Sequence, residues 1–321
     1  MSGAPLRIGS RGSPLALWQA NWVKDRLAEK FSGLAVEISV IKTTGDKILD
    51  SPLSKIGDKG LFTREIEHAL LENRIDCAVH SLKDLPTELP PGLAIGAITQ
   101  REDVRDVFIA RSGSRVTALA DVPHGGTIAT GSLRRRSQLL HWRPDITITE
   151  NRGNLNSRFA KLDDSHWDGM ILARAGVVRL GMEQRITEVI PSERILPAAG
   201  QGALGIEIRE GDSTTLKFIA TLASPAATSA TLGERALLRE LEGGCQVPIG
   251  AYGRLEENVF RLDAMIGSLD GKRFFRGKIH GKPERSEELG KELAKMLYES
   301  GGREILEEIR TKADSGVRSE M

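Results

Sequence analysis

Through the first two-thirds of this chain, short apolar runs with the spacing of strands alternate with helix-spaced segments. That alternation confines the chain to an α/β architecture built on largely parallel sheets. Leu6-Arg7-Ile8 reads as a strand, and Ser13-Pro14 then supplies an N-cap and a first-turn proline for a helix to about Phe31. Val36, Ile38 and Val40 alternate with polar residues, Leu61 to Asn73 returns to helical spacing, and Ile75 to Val79 is a compact apolar run. The pattern resumes at Thr127–Thr130, Ile146–Thr149 and Met170–Ala173, which predicts a second α/β lobe.

Length supports the division. At about 150 residues per domain, 321 residues make roughly two domains, or three if each is small. Segments near Thr99–Arg105 and Ile195–Gln201 have the character of hinges, the second through Pro197 and Gly200, and Ala203–Ile208 reads as a strand positioned to rejoin the first lobe. From Ser224 onward the order changes to a helix, three strands between Ile249 and His280, and helices from Ser286 to about Ile309. The expected organisation is therefore a first α/β lobe over 1–99 and 200–220, a second over 100–199, and an α+β domain over 221–321 whose polar tail frays.

Lys and Arg number 45 against 44 Asp and Glu, so the chain has no overall basic field for general nucleic-acid binding. Aromatics make up 4% and do not interleave with the arginines, so base-stacking platforms are not expected. No apolar run is long enough for a membrane span, and no export signal is read at the start, which predicts a cytoplasmic protein. Two cysteines and six scattered histidines suggest neither a disulfide framework nor a metal site.

Val79-His80-Ser81-Leu82-Lys83-Asp84-Leu85-Pro86 follows a buried strand, and ligands in open α/β sheets collect beyond the carboxyl ends of strands. A Lys-Asp pair alone reads as a solvated turn, and His80 as part of a polar network. Ser132-Leu133-Arg134-Arg135-Arg136 opens a helix directly after a strand, so backbone N–H groups and guanidinium groups coincide. Asn151-Arg152-Gly153-Asn154 repeats the arrangement, with Arg158 in the next helix and Arg11 at the equivalent place in the first lobe. Charge runs are commonly solvated helix faces, but placement at strand ends favours a small molecule bearing several carboxylates or phosphates. Cys245, in Glu242-Gly243-Gly244-Cys245-Gln246-Val247-Pro248, sits on a glycine-flexible loop where a thiol is open to reaction, whereas Cys77 reads as core.

Read together, Arg11-Gly12-Ser13-Pro14-Leu15-Ala16, Gly60-Leu61-Phe62, the Val79 to Pro86 segment, Gly131-Ser132-Leu133-Arg134-Arg135, Arg152-Gly153-Asn154, Pro197 to Gly202 and the Cys245 loop resemble the porphobilinogen deaminase family, in the family's order from about Leu6 to Ile309. The resemblance implies two lobes like type II periplasmic binding proteins and an α+β domain carrying the cysteine. It implies that Cys245 holds a dipyrromethane cofactor by a thioether, onto which four porphobilinogen units are condensed head to tail to give hydroxymethylbilane. It gives Asp84 the principal catalytic role, with Arg11 and Lys83 beside it. Ser81, Lys83, Asp84, Thr130, Ser132, Arg134, Arg135 and Arg158 would bind the cofactor, and Arg11, Ser13, Phe62, Arg152, Arg158, Arg179 and Gln201 the substrate. Lys59 would lie near Phe62 on a loop over the cleft. Asp58 replaces a more usual glycine, Arg136 adds a third guanidinium, and Arg174 reads as a surface charge. A monomer is expected, with no metal, nucleic-acid or membrane partner.

Two other classes share some of these features. A non-catalytic solute-binding protein has two hinged lobes, but has no need of Cys245 on a third domain. A pyridoxal-phosphate enzyme using Lys83 would carry a glycine-rich phosphate loop, which is not read here.

Overall fold

The computed structural model describes residues 4–47, 60–241 and 247–314. Asp58, Lys59, Cys245 and most of the polar tail lie outside the described residues. Along the chain run β1 (Leu6–Ser10), α1 (Pro14–Lys30), β2 (Val36–Val40), α2 (Thr44–Lys47), α3 (Arg64–Leu71), β3 (Cys77–Ser81), β4 (Leu93–Ile98), β5 (Asp106–Ala110), β6 (Thr127–Ala129), α4 (Leu133–Trp142), β7 (Thr147–Thr149), α5 (Leu155–Asp163), β8 (Gly169–Ala173), α6 (Arg174–Arg179) and β9 (Glu188–Val189). They are followed by β10 (Leu204–Arg209), α7 (Ser213–Ile219), α8 (Pro225–Glu240), β11 (Ile249–Glu256), β12 (Val259–Gly267), β13 (Phe274–Gly281), α9 (Ser286–Leu297) and α10 (Arg303–Asp314).

The chain packs as two units. One comprises the described residues up to Glu102 together with Gly200–Thr228, and the other comprises Asp103–Ala199 and the described residues from Ser229 onward. The expected second lobe and α+β domain thus fall in one unit, as two separate sheets.

In the first unit a five-stranded sheet has the order β2-β1-β3-β10-β4. β1 pairs in parallel with β2 and β3, whereas β10 runs antiparallel between β3 and β4. Helix α1 buries Ala20, Val23 and Leu27 against Ile8, Cys77, Val79, Ile206 and Ile208 on one face. Helix α3 covers Ala78 and Leu93 on the other with Ile66, Ala69 and Leu70. Burial on both faces explains why these strands read as apolar runs rather than clean alternations.

The second unit repeats the plan. Its order β7-β6-β8-β5-β9 places β5, antiparallel to β8, where β10 stands in the first sheet. Phe108 packs toward Leu139 of α4, while Val107 and Ile109 on the opposite face meet Phe159 and Leu162 of α5. The antiparallel β11-β12-β13 sheet buries Phe260, Leu262, Ala264 and Ile266 beneath α8, α9 and α10. Helix α4 joins these two parts of the unit: a Cβ at Gly267 would lie 2.2 Å from Ser137 Oγ, and the rings of His141 and Phe274 stack at 4.3 Å.

Candidate functional site

In the first unit, β3 delivers the Lys-Asp pair. After Ser81 the chain makes a single 3-10 turn, Leu82–Asp84, in which Leu82 N donates to Ala203 O at 3.0 Å and Leu85 N to Leu82 O at 3.2 Å. Leu82 and Leu85 are buried on either side of the turn, which leaves Lys83 half-buried and Asp84 exposed between two apolar anchors. Behind the turn, Gly200 at φ +75° would place a Cβ 3.1 Å from Lys83 N, so a left-handed glycine lets the 200–202 segment pack close beneath it. In that segment Gln201 is buried, and its carbonyl accepts from Arg101 Nε at 2.6 Å. Gln19 Nε2 of α1 donates to Ser81 Oγ at 2.8 Å, a contact that the sequence did not signal because it depends on how α1 crosses the sheet.

The arginine after β1 finds an aromatic ring. Arg11 lies over Phe62 at 4.2 Å from the ring centroid, and that ring sits on Gly45, where a Cβ would come within 2.2 Å of it. Ser13 caps α1 as expected, accepting from Ala16 N at 3.3 Å.

The second unit gathers cations at the corresponding strand ends. Thr130 Oγ1 accepts from Ser132 N at 3.3 Å, and Ser132 caps α4 by accepting from Arg135 N at 3.4 Å. Arg134 and Arg135 both turn inward onto Asp106, the first residue of β5. Arg134 Nη1 stands 2.9 Å from Asp106 Oδ2, and Arg135 Nη1 also donates to Ile171 O at 3.1 Å. Both guanidiniums are shared with a protein carboxylate, because the fold places Asp106 under the first turn of α4. Burial alone would push the Asp106 carboxyl up, but the two guanidiniums overcome it and hold it well below the usual carboxylate range. Burial likewise lowers Arg134, against the pull of Asp106. With both arginines and the aspartate ionised, the trio carries one net positive charge at the N-terminus of α4, where an anion is favoured. Asp106 was not singled out in the sequence; a carboxylate opening the apolar run Val107–Ala110 was its only signal.

Arg152 donates to Glu150 at 2.6 Å, Asn154 caps α5 by accepting from Ser157 N at 2.9 Å, and Arg158 Nε donates to Gly153 O at 2.8 Å. The Arg-Gly-Asn loop is thereby wrapped around the start of α5. Arg179, at the end of α6, is buried. Arg174 Nε stands 3.6 Å from Asp103 Oδ2, and Asp103 also holds Arg105, so Arg174 sits in a charge network rather than as a lone surface cation. Arg136 donates to Leu269 O at 3.1 Å and ties α4 to the loop after β12.

Among the described residues no group of three or more His, Cys, Asp or Glu side chains is placed to hold a metal, and no helix is long and apolar enough to cross a membrane. Cys77 is fully buried, which pushes its thiol up to about 12 and keeps it unreactive.

The family model for "Porphobilinogen deaminase, dipyromethane cofactor binding domain" matches residues 6–217, and that for "Porphobilinogen deaminase, C-terminal domain" matches residues 228–299. The chain belongs to the porphobilinogen deaminase family. It is 52% identical over 310 residues to the porphobilinogen deaminase of Chloroherpeton thalassium, covering 95% of this chain and 98% of that one. The porphobilinogen deaminases of Chlorobaculum tepidum and Pelobacter propionicus are 50% and 49% identical, again over 95% of this chain and over 98% and 97% of theirs. Among solved structures, a probable amino-acid transporter extracellular-binding protein from Bacillus subtilis overlays at a TM-score of 0.41 with 10% identity, covering 73% of this chain and 96% of that one.

A porphobilinogen deaminase is an enzyme of tetrapyrrole synthesis, a transferase with a dipyrromethane cofactor, and this chain is one by family. Its donor set suits such a group. In the second unit Arg134 and Arg135 share Asp106 and Arg152 pairs with Glu150, which leaves a net positive charge suited to pyrrole rings bearing carboxylate arms.

Proposed function

We propose that this chain condenses four porphobilinogen molecules head to tail and releases hydroxymethylbilane, with Asp84 as the principal catalytic residue. The reading is supported above all by the setting of Asp84: the two buried leucines on either side fix its backbone, while the carboxylate itself remains exposed at the end of a buried strand. A carboxylate held in this way stabilises positive charge as it develops on a pyrrole losing ammonia, and afterwards accepts the proton displaced by coupling. Arg11, braced on Phe62, lies beside the leaving amine, and Lys83 assists Asp84.

Dipyrromethane, held through a thioether to Cys245, supplies the free pyrrole position from which the chain is extended. Ser81, Lys83, Asp84, Thr130, Ser132 and Arg158 hold it, and Arg134 and Arg135 act on it through the net charge they leave after neutralising Asp106. Arg11, Ser13, Phe62, Arg152, Arg158, Arg179 and Gln201 bind incoming substrate. In this reading the lobes 1–99 with 200–220 and 100–199 bind the carboxylate arms, and 221–321 carries the cofactor loop. The protein works as a cytoplasmic monomer without nucleic-acid or membrane partners.

The mass of the intact chain tests the reading. It should exceed the sequence mass by one dipyrromethane, found on the peptide containing Cys245, and Cys245→Ser should fold without it. A fully active enzyme of unmodified mass would refute the assignment.

A further inference from the structure

Beneath the Lys-Asp turn lies a set of titratable groups for which the proposed chemistry has no use. On β3, His80 is 6% exposed; on β10, Glu207 is 0% exposed; on α3, Glu67 is 6% exposed. The register pairs His80 with Gly205 and Ala78 with Glu207, so the imidazole and the carboxylate project from the same face of neighbouring strands. His80 Nε2 comes within 3.2 Å of Glu207 Oε2. Neither oxygen of Glu207 receives a hydrogen bond, and the pairing of β10 with β4 shifts register between Ile206 and Glu207. From the helix above, Glu67 adds a second carboxylate; burial drives it up, the Glu207 charge adds to this, and Thr63, His80 and His68 pull the other way.

Among the described residues of the packed elements, His68 of α3 acts on Glu67 only from the exposed side of its helix. β4 carries no titratable side chain, and Arg209 of β10 is committed to Asp212 at 2.7 Å and to the carbonyls of Leu70 and Ile75 at 2.9 and 2.6 Å. The surroundings are otherwise apolar: Ile66, Ala69, Leu70, Ala78 and Leu93 on one side, Leu82 and Leu85 on the other. In such a core, well-packed hydrophobic residues would stabilise the fold at least as well as ionic ones. A role in stability alone is therefore a poor account of the cluster. Its members come from three elements, two of which lead directly to residues placed at the reaction. β3 runs from His80 into Ser81, Lys83 and Asp84, and α3 is entered from Phe62, on which Arg11 stacks.

We propose that His80, Glu207 and Glu67 are positioning residues for the reaction, fixing the end of β3 against β10 and the start of α3 and so setting Asp84 relative to Phe62 and Arg11. The inference rests on the catalytic role given to Asp84 above. The close approach of the His80 imidazole to the Glu207 carboxylate, with Glu67 beside it, is specific to one register of β3 on β10, where an apolar contact tolerates several.

Glu207→Gln and Glu67→Gln keep shape and remove charge. On purified holoenzyme, three quantities are measured for each: the denaturant midpoint, amide hydrogen exchange of the 81–85 segment, and kcat and KM from ammonia release. For Glu207→Gln we expect kcat to fall about tenfold with KM changed by less than about twofold, the pattern of an interaction used in the transition state. Exchange at 81–85 should rise about tenfold while α1 peptides keep their rates. If Glu207→Gln does not fold, Glu67→Gln is held to the same criteria. Wild-type kcat with wild-type exchange at 81–85 would overturn the proposal, as would a lowered midpoint with exchange accelerated uniformly across the unit. Failure of the wild-type enzyme to form bilane would refute the catalytic reading instead, and the exchange measurement would still decide whether the cluster fixes the turn.

Discussion

Arg135 grips Asp106 with two parallel hydrogen bonds, Nε to Oδ2 at 3.1 Å and Nη2 to Oδ1 at 2.8 Å, and Asp106 is wholly buried. Arg134 approaches the same carboxylate, so removing its charge would leave two guanidiniums without their shared counter-ion. Asp106→Asn should therefore cost about 3–5 kcal/mol, the penalty for breaking a buried pair on one side. Equilibrium urea unfolding of the variant checks this, and a loss below about 1 kcal/mol would mean that water reaches the pair.

The same carboxylate fixes an acid dependence. Its folded pKa is depressed below the ordinary value of 3.8, so its contribution to stability is complete above that value and disappears as pH falls through the folded one. The wild-type chain should lose stability progressively below about pH 4, and Asp106→Asn should show a shallower slope there. Urea midpoints at a series of pH values between 3 and 6 would reveal the difference.

Replacing Asp84 separates charge from shape. Asn keeps a hydrogen-bond acceptor but cannot offset developing positive charge or take up a proton, whereas Glu keeps both abilities and displaces them by a methylene. Asp84→Asn should fold normally, since the side chain is exposed, yet lose nearly all turnover; Asp84→Glu should turn over slowly. Single-turnover release of ammonia beside bilane formation provides the measurement, and near-normal rates for Asp84→Asn would leave Asp84 a spectator.

The arginines should not behave alike. Arg152→Leu and Arg158→Leu should weaken cofactor assembly or chain extension roughly tenfold to a hundredfold, the effect of losing a charged hydrogen-bond partner worth about 1.5–3 kcal/mol. Arg136→Leu removes a bond to Leu269 O and Arg174→Leu a long contact to Asp103, so these should alter stability more than turnover. Titration of each variant with porphobilinogen, set beside its denaturation curve, distinguishes the two patterns.

Much of the fold could be read from local chemistry. The caps at Ser13, Ser132 and Asn154 lie where side-chain oxygens precede helix-spaced residues, and the structure shows each accepting from its helix. Ala203–Ile208 was recognisable as a strand that returns because its apolar run needed a buried sheet, and β10 supplies that strand in the first unit. β4 went unread because Ala94, Gly96 and Ala97 blur its pattern, and β5 because its apolar run follows a stretch resembling a hinge. At the candidate site, the arginines were legible as charges but their partners were not: Asp106 is 29 residues from Arg135, and only the neighbouring of β5 and β8 brings them together. Glu207 and Glu67 were hidden for the same reason, as carboxylates inside apolar segments whose companions lie on other elements.

The placement of β10 bears on how the chain is made. Because that strand is inserted between β3 and β4 rather than added at an edge, the amino-terminal sheet has a gap at its centre until residues 204–209 have left the ribosome. All of Asp103–Ala199 is synthesised in the interval, and β5, already delivered, lets the later sheet close first. During translation the second sheet therefore has all of its strands before the first does. Until β10 arrives, β3 and β4 lack the partner that separates them, an unpaired edge of the kind that other strands can join.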